Sequence, residues 1–161
     1  MSCKAKKRIA RSGGDLGSAR LADAGPPASE RLGAARWYLS RAYELLARDD
    51  PYGAAEKAWA AVKAATEALT GAVFGVTAPP KGWTWRRFVK EAFAKTGLSE
   101  GEAEKLAAYY IDARDRLHGA CFHGLLYEEA EHKPLVERAK RYVESVERAL
   151  GMAGGSSLAR P

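Results

Sequence analysis

The chain contains no asparagine and no glutamine. Loss of thermolabile amides is a habit of proteins from hot environments, so the composition points to a thermophile; a GC-rich genome gives the same bias toward Ala, Arg and Gly. Cysteine is nearly absent. Cys3 and Cys121 are far apart in sequence, which excludes a disulfide framework and a paired-thiol metal motif. Cys121 reads most simply as a small buried apolar residue. No run approaches the roughly 18 to 20 apolar residues of a membrane span. The basic start "MSCKAKKRIARSGG" is followed by no apolar stretch, so a secretory signal is not expected and the chain is expected in the cytoplasm, away from membranes. Gly-rich phosphate loops in a strand-then-helix setting are missing, as is any serine-hydrolase motif. No segment alternates in the manner of a strand.

What is present is helical. Near half of the 161 residues are apolar, enough for one domain with a real core. The net charge of +6 is unevenly placed: residues 1–27 hold six Lys/Arg against two Asp, and residues 28–159 are close to neutral. Residues 1–27, rich in Gly, Ser and Pro, are expected to be a disordered basic tail, residues 28–151 a helical domain, and residues 152–161 a flexible end. The tail is suited to nonspecific contact with RNA, DNA or an acidic partner, or is a solvated extension.

Five helical segments are expected. The first starts near Ser29 as N-cap and carries the stripe Leu32, Ala35, Leu39, Ala42, Tyr43, Leu46. "RDDPYG" interrupts it, with Asp50 capping the second helix and Pro51 at its first position. The second helix, to about residue 73, is rich in alanine, and the short link makes it antiparallel to the first. Thr84 caps a third helix ending at Gly97. Ser99 and Glu102 form a capping-box signature for a fourth, which runs through Leu106, Tyr110, Ala113, Leu117 and Cys121 to Gly124. A last helix is clear from Leu135, with Pro134 either in its first turn or at a kink. The fold class is all-α, an up-and-down bundle.

The stretch "YIDARDRLHGACFHG" concentrates the chemistry. On an ideal α-helix, His118 and His123 stand about 140° apart, a poor metal pair. His132 is distant in sequence, no His-Glu-x-x-His pattern exists, and no metal or other cofactor is expected. Arg116 and His123 are seven residues apart, nearly two helical turns, and share a face. Arg114 and His118, four apart, share another. An arginine beside a histidine can hold a phosphate while the imidazole moves a proton, which suits metal-independent RNA cleavage. The plainer reading is a helix end whose cations complement the dipole. Tyr109 is expected at a cleft or a subunit interface, and Tyr110 in the core. "PPKGWTWRRFVK" interleaves Trp83 and Trp85 with Lys81, Arg86, Arg87 and Lys90, a pattern that serves single-stranded nucleic acid or, more simply, a core anchor beside a solvated helix face.

Two motifs carry a resemblance: Ala55-Glu56-Lys57-x-Trp59 in the second helix, and Leu117-His118 followed by Phe122-x-Gly124. With them, most of residues 30–150 is similar to the archaeal Pyrobaculum-repeat (PaREP-type) family, within or near the higher eukaryote and prokaryote nucleotide-binding (HEPN) superfamily. That resemblance implies a HEPN-like helical bundle that forms homodimers and acts on RNA or nucleotides. It also implies partnership with a nucleotidyltransferase or an antitoxin in a defence system. Ribonucleases of the superfamily carry Arg, four to six residues, then His. Arg116 and His123 match the longest form as the catalytic pair, with Arg114, His118 and Tyr109 in support. Leu117 departs from the polar residue that usually follows the Arg, and the histidine of the Pyrobaculum-repeat branch corresponds to His118. A non-catalytic dimeric interaction module is the competing reading, and a nucleotide-binding subunit of a transferase a third.

Overall fold

In the computed structural model, which describes residues 25–152, every regular element is a helix. Helix α1 spans Ala28–Ala47, α2 Pro51–Phe74, α3 Trp85–Lys95, α4 Glu100–Asp112 and α5 Glu129–Ala149. Between α4 and α5, with no break from α4, Ala113–His123 forms a π-helical segment. The expected all-α bundle is therefore what the chain builds. The expectations for residues 1–24 and 153–161 lie outside the described residues. No helix among those described is long and apolar enough to cross a membrane.

The local signals explain most boundaries. Asp50 accepts the Gly53 N–H at 2.9 Å, and Pro51 fills the first position of α2, where no N–H is needed. Thr84 Oγ1 accepts from Arg87 N–H at the start of α3. Ser99 and Glu102 exchange the reciprocal bonds of a capping box at α4. Helix α1 differs from expectation. It begins at Ala28 without a side-chain cap, because Pro27 in an extended conformation already offers its carbonyl to Glu30 and Arg31 N–H, leaving Ser29 inside the first turn.

Alanine sets the spacing of α1 and α2. Ala35 and Ala42 face Ala55, Ala58, Ala61 and Ala65, all buried in one core. Each methyl contributes little area, but their small size lets two backbones approach closely. The pairs Arg31–Glu67 and Lys57–Tyr38 fix the antiparallel sense. Larger residues fill the far side of α2: Val62, Leu69, Phe93, Val136, Val143 and Val146 are buried, each stabilising by about 1.5–3 kcal/mol on area grounds. Helix α5 lies across α2, where Tyr142 and Thr66 share a hydroxyl–hydroxyl hydrogen bond of 2.6 Å. It begins at Glu129 and contains Pro134, which has no N–H to offer the Ala130 carbonyl. Buried His132 ties down this start. Its Nδ1 accepts the Glu128 N–H at 2.9 Å, so the third histidine is a capping residue.

The fourth helix was expected to stay α-helical as far as Gly124. Instead it widens to π from Ala113. Gly124 N–H reaches back to the Gly119 carbonyl, an i→i+5 bond, and Leu126 N–H to the Ala120 carbonyl. A side chain at Gly124 would collide with Ala120, since a Cβ there would sit 2.5 Å from its oxygen. The chain then turns through Leu125 at φ 53°.

Candidate functional site: a carboxylate–imidazole pair in a groove

The π register decides which side chains meet. In an i→i+5 helix the wider turn brings residues five apart towards the same side. His118 and His123, which α-geometry separates, have ring centroids 4.5 Å apart with nearly perpendicular planes. The sequence-based angle is overturned for that reason. The ring of Phe122 stacks parallel to His118 at 6.4 Å and lies against His123 at 5.1 Å.

From α2, Glu56 and Trp59 reach the same imidazole. Glu56 Oε2 lies 2.8 Å from His118 Nδ1, and the Trp59 ring centroid is 5.9 Å from that of His118. Three positions apart on an α-helix, the two residues occupy one face. A carboxylate only accepts, so Nδ1 is the donor to it, and in the neutral imidazole Nε2 carries the lone pair. Glu56 thus fixes both ring orientation and tautomer. Both side chains are partly open to solvent, as a reactive pair must be.

The pair sits at the wall of a groove of about 680 Å³. Helices α1 and α2 form it, with Ala34, Ala60 and Ala64 giving small-residue contacts and Tyr38 a ring. Arg31, Lys63 and Arg114 bring cations; Glu67 pairs with Arg31 at 3.0 Å and with Lys63 at 3.8 Å. Arg114 pairs with Asp115 at 2.9 Å.

The residues singled out in sequence separate into groups. Arg114 and His118 line this groove together. His123 joins them through the His118 ring, while Arg116 is exposed and forms no hydrogen bond or ion pair among the described residues. Tyr109 lies at neither a cleft nor an open face. It is buried, donates its hydroxyl to the Leu135 carbonyl at 2.7 Å, and packs on Tyr142, because α5 covers that side of α4. Burial raises its phenol well above the ordinary range, and does the same for Tyr110.

The aromatic–basic stretch is distributed over a helix face. Arg87 lies over the Trp83 ring at 4.1 Å, and Trp85 stacks on Tyr110. Arg86 is bonded to Glu104, and Lys90 reaches Glu100 at 3.1 Å and Glu104 at 3.6 Å. The Arg86 guanidinium holds the Glu104 carboxyl below the usual carboxylate range. Lys81 is exposed in the preceding loop. Three of the four cations, Arg86, Arg87 and Lys90, thus have intramolecular partners, and two of them face carboxylates.

Glu56, Trp59, Tyr38, Arg31, Lys63 and Glu67 were not identified as site residues from sequence. Glu56 and Trp59 stood in a recognisable motif, but nothing local links them to a histidine 62 positions away.

Fold and site together define an all-α helical protein with a carboxylate-oriented imidazole in an inter-helix groove. The model of the archaeal PaREP1/PaREP8 family matches residues 30–150, and the chain belongs to that family. No curated protein and no solved structure matches it. Both resemblance motifs meet at this one place: Glu56 and Trp59 from the first, His118 and Phe122 from the second.

Proposed function

We propose that the groove binds RNA and that the protein is a metal-independent ribonuclease of HEPN type, centred on His118. The observation that supports this most is the 2.8 Å contact of Glu56 with His118 Nδ1, in a groove that Arg114 also lines. Held in this tautomer, His118 removes the 2′-hydroxyl proton through Nε2 as that oxygen attacks the adjacent phosphorus. The P–O5′ bond breaks, and the neighbouring His123, as imidazolium, delivers a proton to the departing 5′-oxygen. Arg114 stabilises the charge that builds on the non-bridging oxygens. This assigns the phosphate contact to Arg114 rather than to Arg116, which stands apart from the pair.

The test is cleavage of mixed single-stranded RNA in EDTA by wild type and four variants. His118→Ala is expected to lose at least about a hundredfold in rate, and Glu56→Gln a similar factor through the wrong tautomer. His123→Ala is expected to slow the reaction, and Arg116→Ala to leave it within about twofold. No cleavage by wild type, or equal cleavage by all variants, rejects the enzyme. Loss in Arg116→Ala with His118→Ala unaffected returns the active pair to Arg116 and His123.

A second reading has its own support. Phe122, Leu125 and Leu126 are exposed together at the end of the π segment, Leu125 by 69%. Such a cluster suits a helical interaction module that forms homodimers without catalysis. Sedimentation velocity of wild type against Leu125→Ser/Leu126→Ser tests it: a dimer that the double variant dissociates is expected, and a monomeric wild type rejects it.

A further inference from the structure

Glu67 lines the groove but takes no part in the chemistry proposed for His118. Its Oε2 accepts from Arg31 Nη1 at 3.0 Å, the bond that ties α2 to α1. Arg31 is itself fixed: its side chain is 14% exposed, and its Nε donates to the Pro26 carbonyl at 2.9 Å. The carboxylate is thus held in one place. Its Oε1 accepts no hydrogen bond among the described residues. Lys63 Nζ, one turn earlier on α2, stands 3.8 Å from that oxygen, an ion pair too long for a hydrogen bond, with its side chain mostly exposed.

Lys63 and Glu67 lie seven and eleven residues beyond Glu56, about 10 and 16 Å along α2. The methyls of Ala60 and Ala64, with Ala34 on α1, line the same groove. Such small apolar side chains leave room for a flat ring beside the charged edge. The order of groups on that edge is specific: an ammonium donor from Lys63, then the two acceptor oxygens of Glu67. Guanine is the RNA base whose pairing edge runs acceptor, donor, donor, through O6, N1–H and the N2 amine. Every other base sets at least one donor against a donor or one acceptor against an acceptor. At about 16 Å from Glu56, the base so read belongs to a neighbour of the nucleotide whose 2′-hydroxyl meets His118.

We infer that Lys63 and Glu67 form a guanine-reading subsite, which selects the RNA strand beside the bond held at His118. The inference rests on the groove binding RNA, though not on its cleaving it.

Fluorescence anisotropy on the full chain tests it, with labelled RNA hexamers whose riboses carry 2′-fluorine so that no hydroxyl is there to attack. A strand of adenosines with one guanosine is compared with an all-adenosine strand, and with one carrying inosine, which lacks the N2 amine. Wild type is expected to bind the guanosine strand about tenfold more tightly than the adenosine strand, as a bidentate base contact allows. The inosine strand is expected to fall between them. Glu67→Gln keeps an acceptor for Arg31 but sets a donor against a guanine donor, and is expected to bind the guanosine and adenosine strands within about twofold of each other. Lys63→Met is expected to narrow the preference by a smaller factor.

Equal affinity of wild type for the guanosine and adenosine strands overturns the inference and leaves RNA binding in the groove intact. Equal affinity for guanosine and inosine overturns the two-donor contact. A guanosine preference that survives Glu67→Gln overturns the assignment to Glu67. Competition by guanosine monophosphate as effective as by the guanosine hexamer makes a free nucleotide the occupant and overturns the choice of RNA. Absence of binding to any strand by wild type defeats the groove as well. The expected preference without cleavage of unmodified RNA defeats the ribonuclease reading and leaves this one standing.

Discussion

A leucine held at a left-handed backbone position, with its side chain mostly in water, stabilises little and strains the chain. Leu125 has both properties, at φ 53° and 69% exposure. Leu125→Gly is therefore expected to raise stability by about 0.5–1 kcal/mol, the relief of strain outweighing the extra freedom of the unfolded glycine. Thermal denaturation checks this, and a lower midpoint would show that the leucine has a packing role. That a protein retains such a residue beside the histidine pair fits a surface kept for contact. His118 carries the opposite lesson. Its partner Glu56 is 62 residues away, and no sequence spacing joins them. The residue-scale features that sequence revealed were those answered within a few positions: Asp50 with Gly53, Thr84 with Arg87, Ser99 with Glu102. Tyr109 was misplaced because its partner, the Leu135 carbonyl, belongs to another helix.

At the scale of elements, five helices were legible because apolar stripes, caps and breakers agree. The π segment was not. Its buried residues Ala113, Leu117 and Cys121 recur every four positions. That spacing slightly overshoots an α turn and undershoots a π turn, so the hydrophobic pattern is blind to the choice. The choice nonetheless decides whether His118 and His123 meet. An α-helical segment of the same sequence would set the two imidazoles about 140° apart. Cross-peaks between the His118 and His123 rings are therefore expected in NOE spectra, and their absence would show that the segment is α-helical in solution. A milder element-scale prediction concerns α4. Ser99→Ala removes half of the capping box and is expected to cost about 1 kcal/mol, read as a lower denaturant midpoint with unchanged slope.

For the whole molecule, the buried tyrosines set an alkaline limit. Tyr109, Tyr110 and Tyr142 all have phenol groups pushed above their ordinary range, chiefly by burial. In the unfolded chain they ionise near pH 10, whereas the folded chain keeps them protonated. The unfolded state then binds fewer protons, so stability falls as pH rises above about 10 and is complete below it. Absorbance of phenolate is expected to appear together with loss of helix in one cooperative step; phenolate appearing well before unfolding would contradict this. The bundle closes late in the sequence. Arg36 of α1 is held by Glu147 of α5, and Tyr43 donates to the Glu137 carbonyl. During synthesis, the α1–α2 hairpin emerges with its Val62 and Leu69 side uncovered, and α5, which supplies Val136, Val143 and Val146 to that core, comes last. A ribosome paused before α5 would therefore display a sticky, half-built hairpin, and nascent-chain chaperones should bind it until translation resumes.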